Sequence, residues 1–428
     1  MKKNLLHTPE GVRDIYGEEY DRKQAVSRKI TEVIRRFGYA GLQTPVLEYF
    51  DIFSAERGSV ASNELFKLFD REGDTMVLRP DITPAAARCI SKYYMYETMP
   101  VRLYYEGSTF VNYLSLRGSL KESTVIGAEF VNDSSVDADA EIIAMLISSL
   151  QAAGLENFQV EIGIVDYFNG LMQDANLSEE DQGRLRELIE SKNFFGVEEM
   201  LSGMEMDDSV RIALTTIPKL FGGIDQIRRA RELTNNARAI SALDRLEQLY
   251  ALLSVYGLEK TISFDLGMLG KFHYYTGMIF KAYTYGTGSP VATGGRYDSL
   301  LVQFGKDAPA TGFAIYLDDL LTAMHRQNIP VDTGRKPALI AYAPDCLESA
   351  VREAQSRRKD GARAALVRIP AEGSREEVLR YAREAGMDRV TFLTRAGEKT
   401  VRLENPAADV SAAGQAAGAD AAEKGEKG

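Results

Sequence analysis

Apolar and polar positions follow two different periods along this chain, and the places where the period changes mark its elements. Over residues 18–37, EEYDRKQAVSRKITEVIRRF sets Ala25, Ile30, Val33, Ile34 and Phe37 at helical spacing. Gly38 can enter the left-handed region that ends a helix. YAGLQTPVLEYFDIF predicts a short strand with Pro45 at an edge position, and residues 66–69 and 76–78 predict a hairpin turning at 70–74. A helix is expected from about Pro84, with Asp81 or Thr83 able to cap it. Residues 100–131 carry the strongest alternation. Val101, Leu103 and Tyr105 share one face of a strand, with Arg102 and Tyr104 on the other, and residues 123–131 read as a returning strand. The polar segment between them, 112–121, becomes a long hairpin loop over one sheet face, with Arg117 and Lys121 as its cations.

Further along, a helix is expected over 138–153 and a strand over 156–165, followed by helical pattern from 177 to about 253. Breaks near Gly196, Gly203 and Gly222-Gly223 divide that block, which reads as a helical insertion over about 170–258. Strands resume at 262–264 and in YYTGMIFKAYTY. They are followed by a glycine turn in ATGGRYDSL, a strand in ATGFAIYL, a helix over 318–326 and a linker over 330–336. From Pro337 a strand–helix rhythm predicts a small α/β domain over 337–403 with a parallel sheet. The Ala- and Gly-rich segment 404–428 has too few large apolar residues to build a core and is expected to be disordered. The pattern as a whole is that of an α+β chain: residues 1–330 build an antiparallel sheet flanked by helices, and the small domain follows.

Composition narrows the function classes. Apolar residues make up 45% and charged residues 26% of the 428 residues, as in an ordinary globular protein. No run of about 18 apolar residues occurs, so no membrane partner is expected, and the apolar run near the N-terminus stops at Leu5-Leu6, too short for a secretory signal. Cys89 and Cys346 form no CxxC, which fits a reduced cytoplasmic protein. The net charge of −11 argues against a chain that lives on nucleic acid. His7, His273 and His325 are not at metal-ligand spacing, so neither a metal nor another cofactor is expected.

Seven segments, in order, resemble the catalytic core of class II histidyl-tRNA synthetases and their paralogue, the regulatory subunits of ATP phosphoribosyltransferase. TPEGVRDIYG resembles the N-terminal signature, and RRFGYAGLQTPVLE resembles motif 1, the dimer-interface helix and strand. LRPDIT resembles the segment that holds the amino-acid ammonium, and the hairpin over 100–131 resembles motif 2. HYYTGMIF and GGRYDSL resemble the two histidine-specific signatures, and ATGFAIYLDDL resembles motif 3. The resemblance implies a class II aminoacyl-tRNA synthetase-like fold and a C-terminal domain like an anticodon-binding domain.

It also implies a histidine-binding set: Asp81 and Thr83 toward the ammonium, Glu129 toward the imidazole N–H, and Tyr275, Arg296 and Tyr297 around the pocket. Each has a plainer reading as well. Asp81 or Thr83 suits a helix cap, Glu129 a solvated sheet-face carboxylate, and Gly294 to Tyr297 a structural turn. Tyr274 suits the core, and His273 a structural or surface position.

Adenylate formation needs preorganised cations around the phosphates, and each lost donor costs about 10²- to 10³-fold in rate. By the resemblance, Val111, Gly270 and Asp319 stand where a synthetase has cations, and Val125 stands where it has a Gln. The paralogue therefore fits better than a synthetase. It implies a non-catalytic chain, dimeric within a hetero-oligomer, whose partner is a short-form catalytic ATP phosphoribosyltransferase subunit. Histidine is then the expected effector, and tRNA is not an expected ligand. A divergent histidyl-tRNA synthetase is the alternative.

Overall fold

The structure, a computed structural model, describes residues 6–53, 60–113, 120–270, 275–334, 336–369 and 375–403. The chain divides into two compact units, Met1–Asp14 with Lys23–Val331, and Ile15–Arg22 with Asp332–Gly428.

Helix α1 (Gly17–Arg36), which belongs to the first unit from Lys23 onward, buries Ala25, Val26, Ile30 and Ile34 on one face. Full burial of each large aliphatic side chain contributes about 1.5–3 kcal/mol. Gly38, at φ +87°, turns the chain out of the helix as expected. The single strand expected in YAGLQTPVLEYFDIF is instead two short ones in different sheets, β1 (Ala40–Gly41) and β2 (Leu47–Tyr49). The hairpin strands β3 (Lys67–Phe69) and β4 (Thr75–Leu78) pair antiparallel as the pattern predicts, and β2 joins the other side of β4.

Helix α2 (Thr83–Tyr93) follows, and then the long hairpin of β5 (Val101–Phe110) and β6 (Glu122–Val131). Ten cross-strand pairs fix their register, from Val101 opposite Val131 to Phe110 opposite Glu122. Helix α3 (Val136–Ala153), strand β7 (Phe158–Ile164) and helix α4 (Val165–Ala175) come next. The helical block continues with α5 (Glu179–Glu190), α6 (Phe194–Ser202) and α7 (Asp208–Thr216). Its break falls at Ser191 to Asn193 rather than at Gly196, because the Asn193 side chain caps α6 by accepting the Gly196 N–H at 2.9 Å.

Strand β8 (Phe221–Gly222), helices α8 (Asp225–Arg231) and α9 (Ala237–Val255), and strands β9 (Ile262–Asp265), β10 (Met278–Thr284), β11 (Ala292–Arg296) and β12 (Ala310–Tyr316) lead to helix α10 (Leu317–Arg326). Gly294 and Gly295, expected in a turn, lie inside β11. The strand needs them because a Cβ at Gly294 would strike the Phe280 ring and the Gly312 carbonyl, and one at Gly295 would stand 2.7 Å from the Met278 carbonyl.

The main sheet runs in the order β1-β5-β6-β12-β11-β10-β7-β9-β8. It is antiparallel except for the β1–β5 and β7–β9 pairs. One apolar cluster joins α1, α3, the helices α4 to α9 and the strands they cover, so the helical block shares the core of the sheet.

The second unit holds β13 (Ala338–Tyr342), α11 (Leu347–Lys359), β14 (Ala364–Arg368), α12 (Arg375–Glu384), β15 (Arg389–Thr394) and β16 (Gly397–Arg402). Its first three strands are parallel, as the βαβαβ rhythm predicts, and β16 adds an antiparallel edge that the rhythm did not reveal. Among the described residues, no helix is long and apolar enough to cross a membrane. The expected disorder of 404–428 lies outside the described residues.

Candidate functional site

A cavity of about 730 Å³ lies over β6, β12 and β11 and is closed by the start of α2 and the start of α10. Its size falls within the range of small-ligand sites, ~300–1,000 Å³.

The inner end is built on Glu129, which the hairpin register places opposite Leu103 of β5 and Gly312 of β12. Two glycines clear its lane. A Cβ on Gly127 would stand 2.5 Å from the Tyr105 hydroxyl, and one on Gly312 would collide with Glu129 Oε2. Tyr105 therefore reaches across Gly127 and donates its hydroxyl to Glu129 Oε1 at 3.0 Å. Tyr297, one residue past β11, donates to Oε2. The Thr83 hydroxyl lies 3.2 Å from the Tyr105 hydroxyl. Asp81 Oδ1 accepts the Thr83 backbone N–H at 3.2 Å, so Asp81 supports the first turn of α2 while lining the cavity. Thr83 is not the cap; it is the first helical residue, with Pro84 next.

Burial dominates the electrostatics here. Glu129 is 1% exposed, and desolvation raises its carboxyl to about 8, against hydrogen bonds from Tyr297, Thr83 and Tyr105 and with a further push from Asp81. Burial and the Glu129 charge push both Tyr105 and Tyr297 well above the usual phenol range, so they remain donors. The solvated carboxylate that Glu129's position on the sheet also allowed is not what forms.

The outer end is more open. Val111, Tyr113, Lys121, Ser123, Asp318 and Asp319 line it. Asp318 accepts from Lys23 Nζ at 2.8 Å and from the Thr124 N–H at 2.7 Å, which ties α1 and β6 to the start of α10. Burial and then the neighbouring Asp318 raise the Asp319 carboxyl above its ordinary value. Gly270 sits at φ +80°, a backbone conformation that L side chains rarely adopt, and a Cβ there would meet the Tyr275 ring at 3.5 Å.

The structure thus gathers Asp81, Thr83, Glu129, Tyr275 and Tyr297 around one cavity. Arg296 is not among them. Strand alternation sends it to the opposite side of β11, where it donates to Asp139 Oδ1 at 2.7 and 3.0 Å and to the Asp133 and Ser135 carbonyls. Arg245 holds the other oxygen of Asp139. Sequence reasoning missed Tyr105 as a site residue; the signal was its place on the same strand face as Leu103, which lies opposite Glu129. Arg117, His273 and Tyr274 lie outside the described residues. Among the described residues, no three His, Cys, Asp or Glu side chains are placed to hold a metal ion.

Comparison with known proteins agrees with this architecture. The histidyl-tRNA synthetase family matches residues 11–320. The chain is 38% identical to an ATP phosphoribosyltransferase regulatory subunit from Acetivibrio thermocellus, over 83% of this chain and 85% of that protein. It is 36% identical to one from Clostridium kluyveri, over 89% and 97% respectively. A crystal structure from Bacillus halodurans, described as an ATP phosphoribosyltransferase regulatory subunit/histidyl-tRNA synthetase, superposes with a TM-score of 0.83 at 31% identity, over 92% of this chain and 99% of that one. A histidyl-tRNA synthetase from Nostoc sp., 18% identical with a TM-score of 0.77 over 94% and 97%, shares the fold. The chain belongs to the ATP phosphoribosyltransferase regulatory subunit family, built on the class II histidyl-tRNA synthetase-like fold.

Proposed function

We propose that this chain is the non-catalytic partner of a short-form catalytic ATP phosphoribosyltransferase subunit in the first step of histidine biosynthesis. In this reading it works in the cytoplasm as a homodimer within a hetero-oligomer, and its cavity holds histidine as the feedback effector. The observation that carries it is the contrast within one cavity. The inner end keeps a buried carboxyl ringed by hydroxyls, suited to an imidazole amino acid, while the outer end presents Val111 and Asp319 where nucleotide activation calls for cations. Feedback then requires histidine to bind one state of the complex better than another.

The test mixes this chain with a short catalytic subunit and follows phosphoribosyl-ATP formation with and without histidine. Co-elution, a raised rate and inhibition by histidine are expected; no complex and no change in rate would overturn the reading. A divergent histidyl-tRNA synthetase would instead show histidine-dependent ATP–pyrophosphate exchange.

A further inference from the structure

Resting on the reading of this cavity as a histidine site, we infer that Glu129 and the bound imidazole share a single proton, which the buried carboxyl brings to the contact and a neutral ring accepts. The geometry behind this is a buried carboxyl whose hydrogen-bond donors are tyrosine hydroxyls. Facing it are Asp81 and Thr83 at the start of α2, Tyr105 of β5, Tyr297 after β11 and Tyr275 ahead of β10, with Gly312 of β12 beside it. Tyr39, ahead of β1, also feels its charge. Among the described residues, no Lys or Arg pairs with Glu129, and Asp81 pushes its carboxyl further up.

An empty pocket therefore keeps Glu129 protonated up to about pH 8. Each carboxyl oxygen already accepts one tyrosine hydroxyl. The carboxyl's own proton is the group left to donate to a ring nitrogen. A neutral imidazole entering this pocket meets a neutral acid, and the proton then lies between them, on the carboxyl oxygen or on the ring nitrogen. Either way the complex holds one proton at this contact.

The proton balance follows directly. Free imidazole titrates near ~6.5. Below that value both partners arrive protonated, and binding releases one proton. Between ~6.5 and about 8, Glu129 brings the proton and the ring brings none, so binding exchanges none. Above about 8 neither carries it, and binding takes one up. The dissociation constant is flat in the middle window and rises about tenfold per pH unit on either side.

The experiment is calorimetric titration of the full-length protein with L-histidine at pH 5.5, 7.2 and 8.5, in pairs of buffers with different ionisation heats. Wild type is expected to release close to one proton, exchange close to none, and take up about three quarters of one, in that order. Glu129→Gln keeps the shape and a neutral donor but cannot titrate, so it should keep the acid limb and lose most of the uptake at pH 8.5. Uptake of a full proton by wild type at pH 7.2 would mean that Glu129 is already ionised in the empty pocket, and would overturn the carboxyl as the source of the shared proton while leaving the histidine site standing. Equal uptake by wild type and Glu129→Gln at pH 8.5 would do the same. No histidine binding at any of the three pH values would overturn the reading of the cavity itself, and the wild-type measurements decide both questions should the variant fail to fold.

Discussion

Glu129 and Asp139 are each 1% exposed, yet the fold satisfies them in opposite ways. Asp139, in the first turn of α3, is gripped by the guanidinium groups of Arg296 and Arg245, with contacts from 2.5 to 3.1 Å. Glu129 has no cation among the described residues and is held by phenols. Arg296 and Tyr297, adjacent in sequence, go one to each carboxylate. An ion pair fixes the charge and so belongs to the frame. A carboxyl held by neutral donors can still change its protonation, so it can answer a ligand. The difference separates scaffold from site more sharply than burial does.

The largest test of this difference is the pH dependence of stability. Glu129 titrates higher in the folded protein than in the unfolded chain, at about 8 against 4.5. Between those values the folded state binds more protons, so the group's stabilising contribution is complete below ~4.5 and is lost as pH rises through about 8. Relative to Glu129→Gln, wild type should lose stability by about 1.4 kcal/mol per pH unit across that window, read from urea denaturation midpoints. A constant difference between the two proteins would break the comparison.

Asp139→Ala should come next. It strands two guanidinium groups, one of them on a side chain 4% exposed, at a cost of about 3–5 kcal/mol. Tyr297→Phe should cost about 1–3 kcal/mol, by leaving a buried carboxyl oxygen without its donor. The same change should raise the Glu129 titration further, because that hydrogen bond lowers it, and so move the alkaline limb of histidine binding to higher pH. Asp319→Asn, at the outer end of the cavity and without a side-chain hydrogen bond among the described residues, should change stability by no more than about 0.5 kcal/mol and leave histidine affinity within about twofold.

Much of the frame was legible because it depends on period and glycine placement. The β5–β6 hairpin follows from the alternation of Val101, Leu103 and Tyr105, and the end of α1 from Gly38. Asp81, Thr83, Glu129, Tyr275 and Tyr297 came from the family resemblance, and the structure gathers them at one cavity.

What escaped depends on pairing between distant segments. Gly294 and Gly295 look like turn residues until β10 and β12 are laid beside them, at which point the lack of a Cβ is a packing requirement. Arg296 looked like a ligand for the same reason: which face it takes is decided by the strand, and its true partner lies 157 residues away on α3. Tyr105 carried no motif, and its role appears only when Gly127 opens the path to Glu129.

The most direct test of the account is reconstitution. This chain is mixed with a short catalytic ATP phosphoribosyltransferase subunit, and phosphoribosyl-ATP formation is measured against histidine concentration, with Glu129→Gln alongside. The account predicts a complex that is faster than the catalytic subunit alone and is inhibited by histidine, with the dose response at pH 8.5 shifted by the substitution. Absence of any complex or rate change, together with histidine-dependent ATP–pyrophosphate exchange by this chain alone, would contradict it.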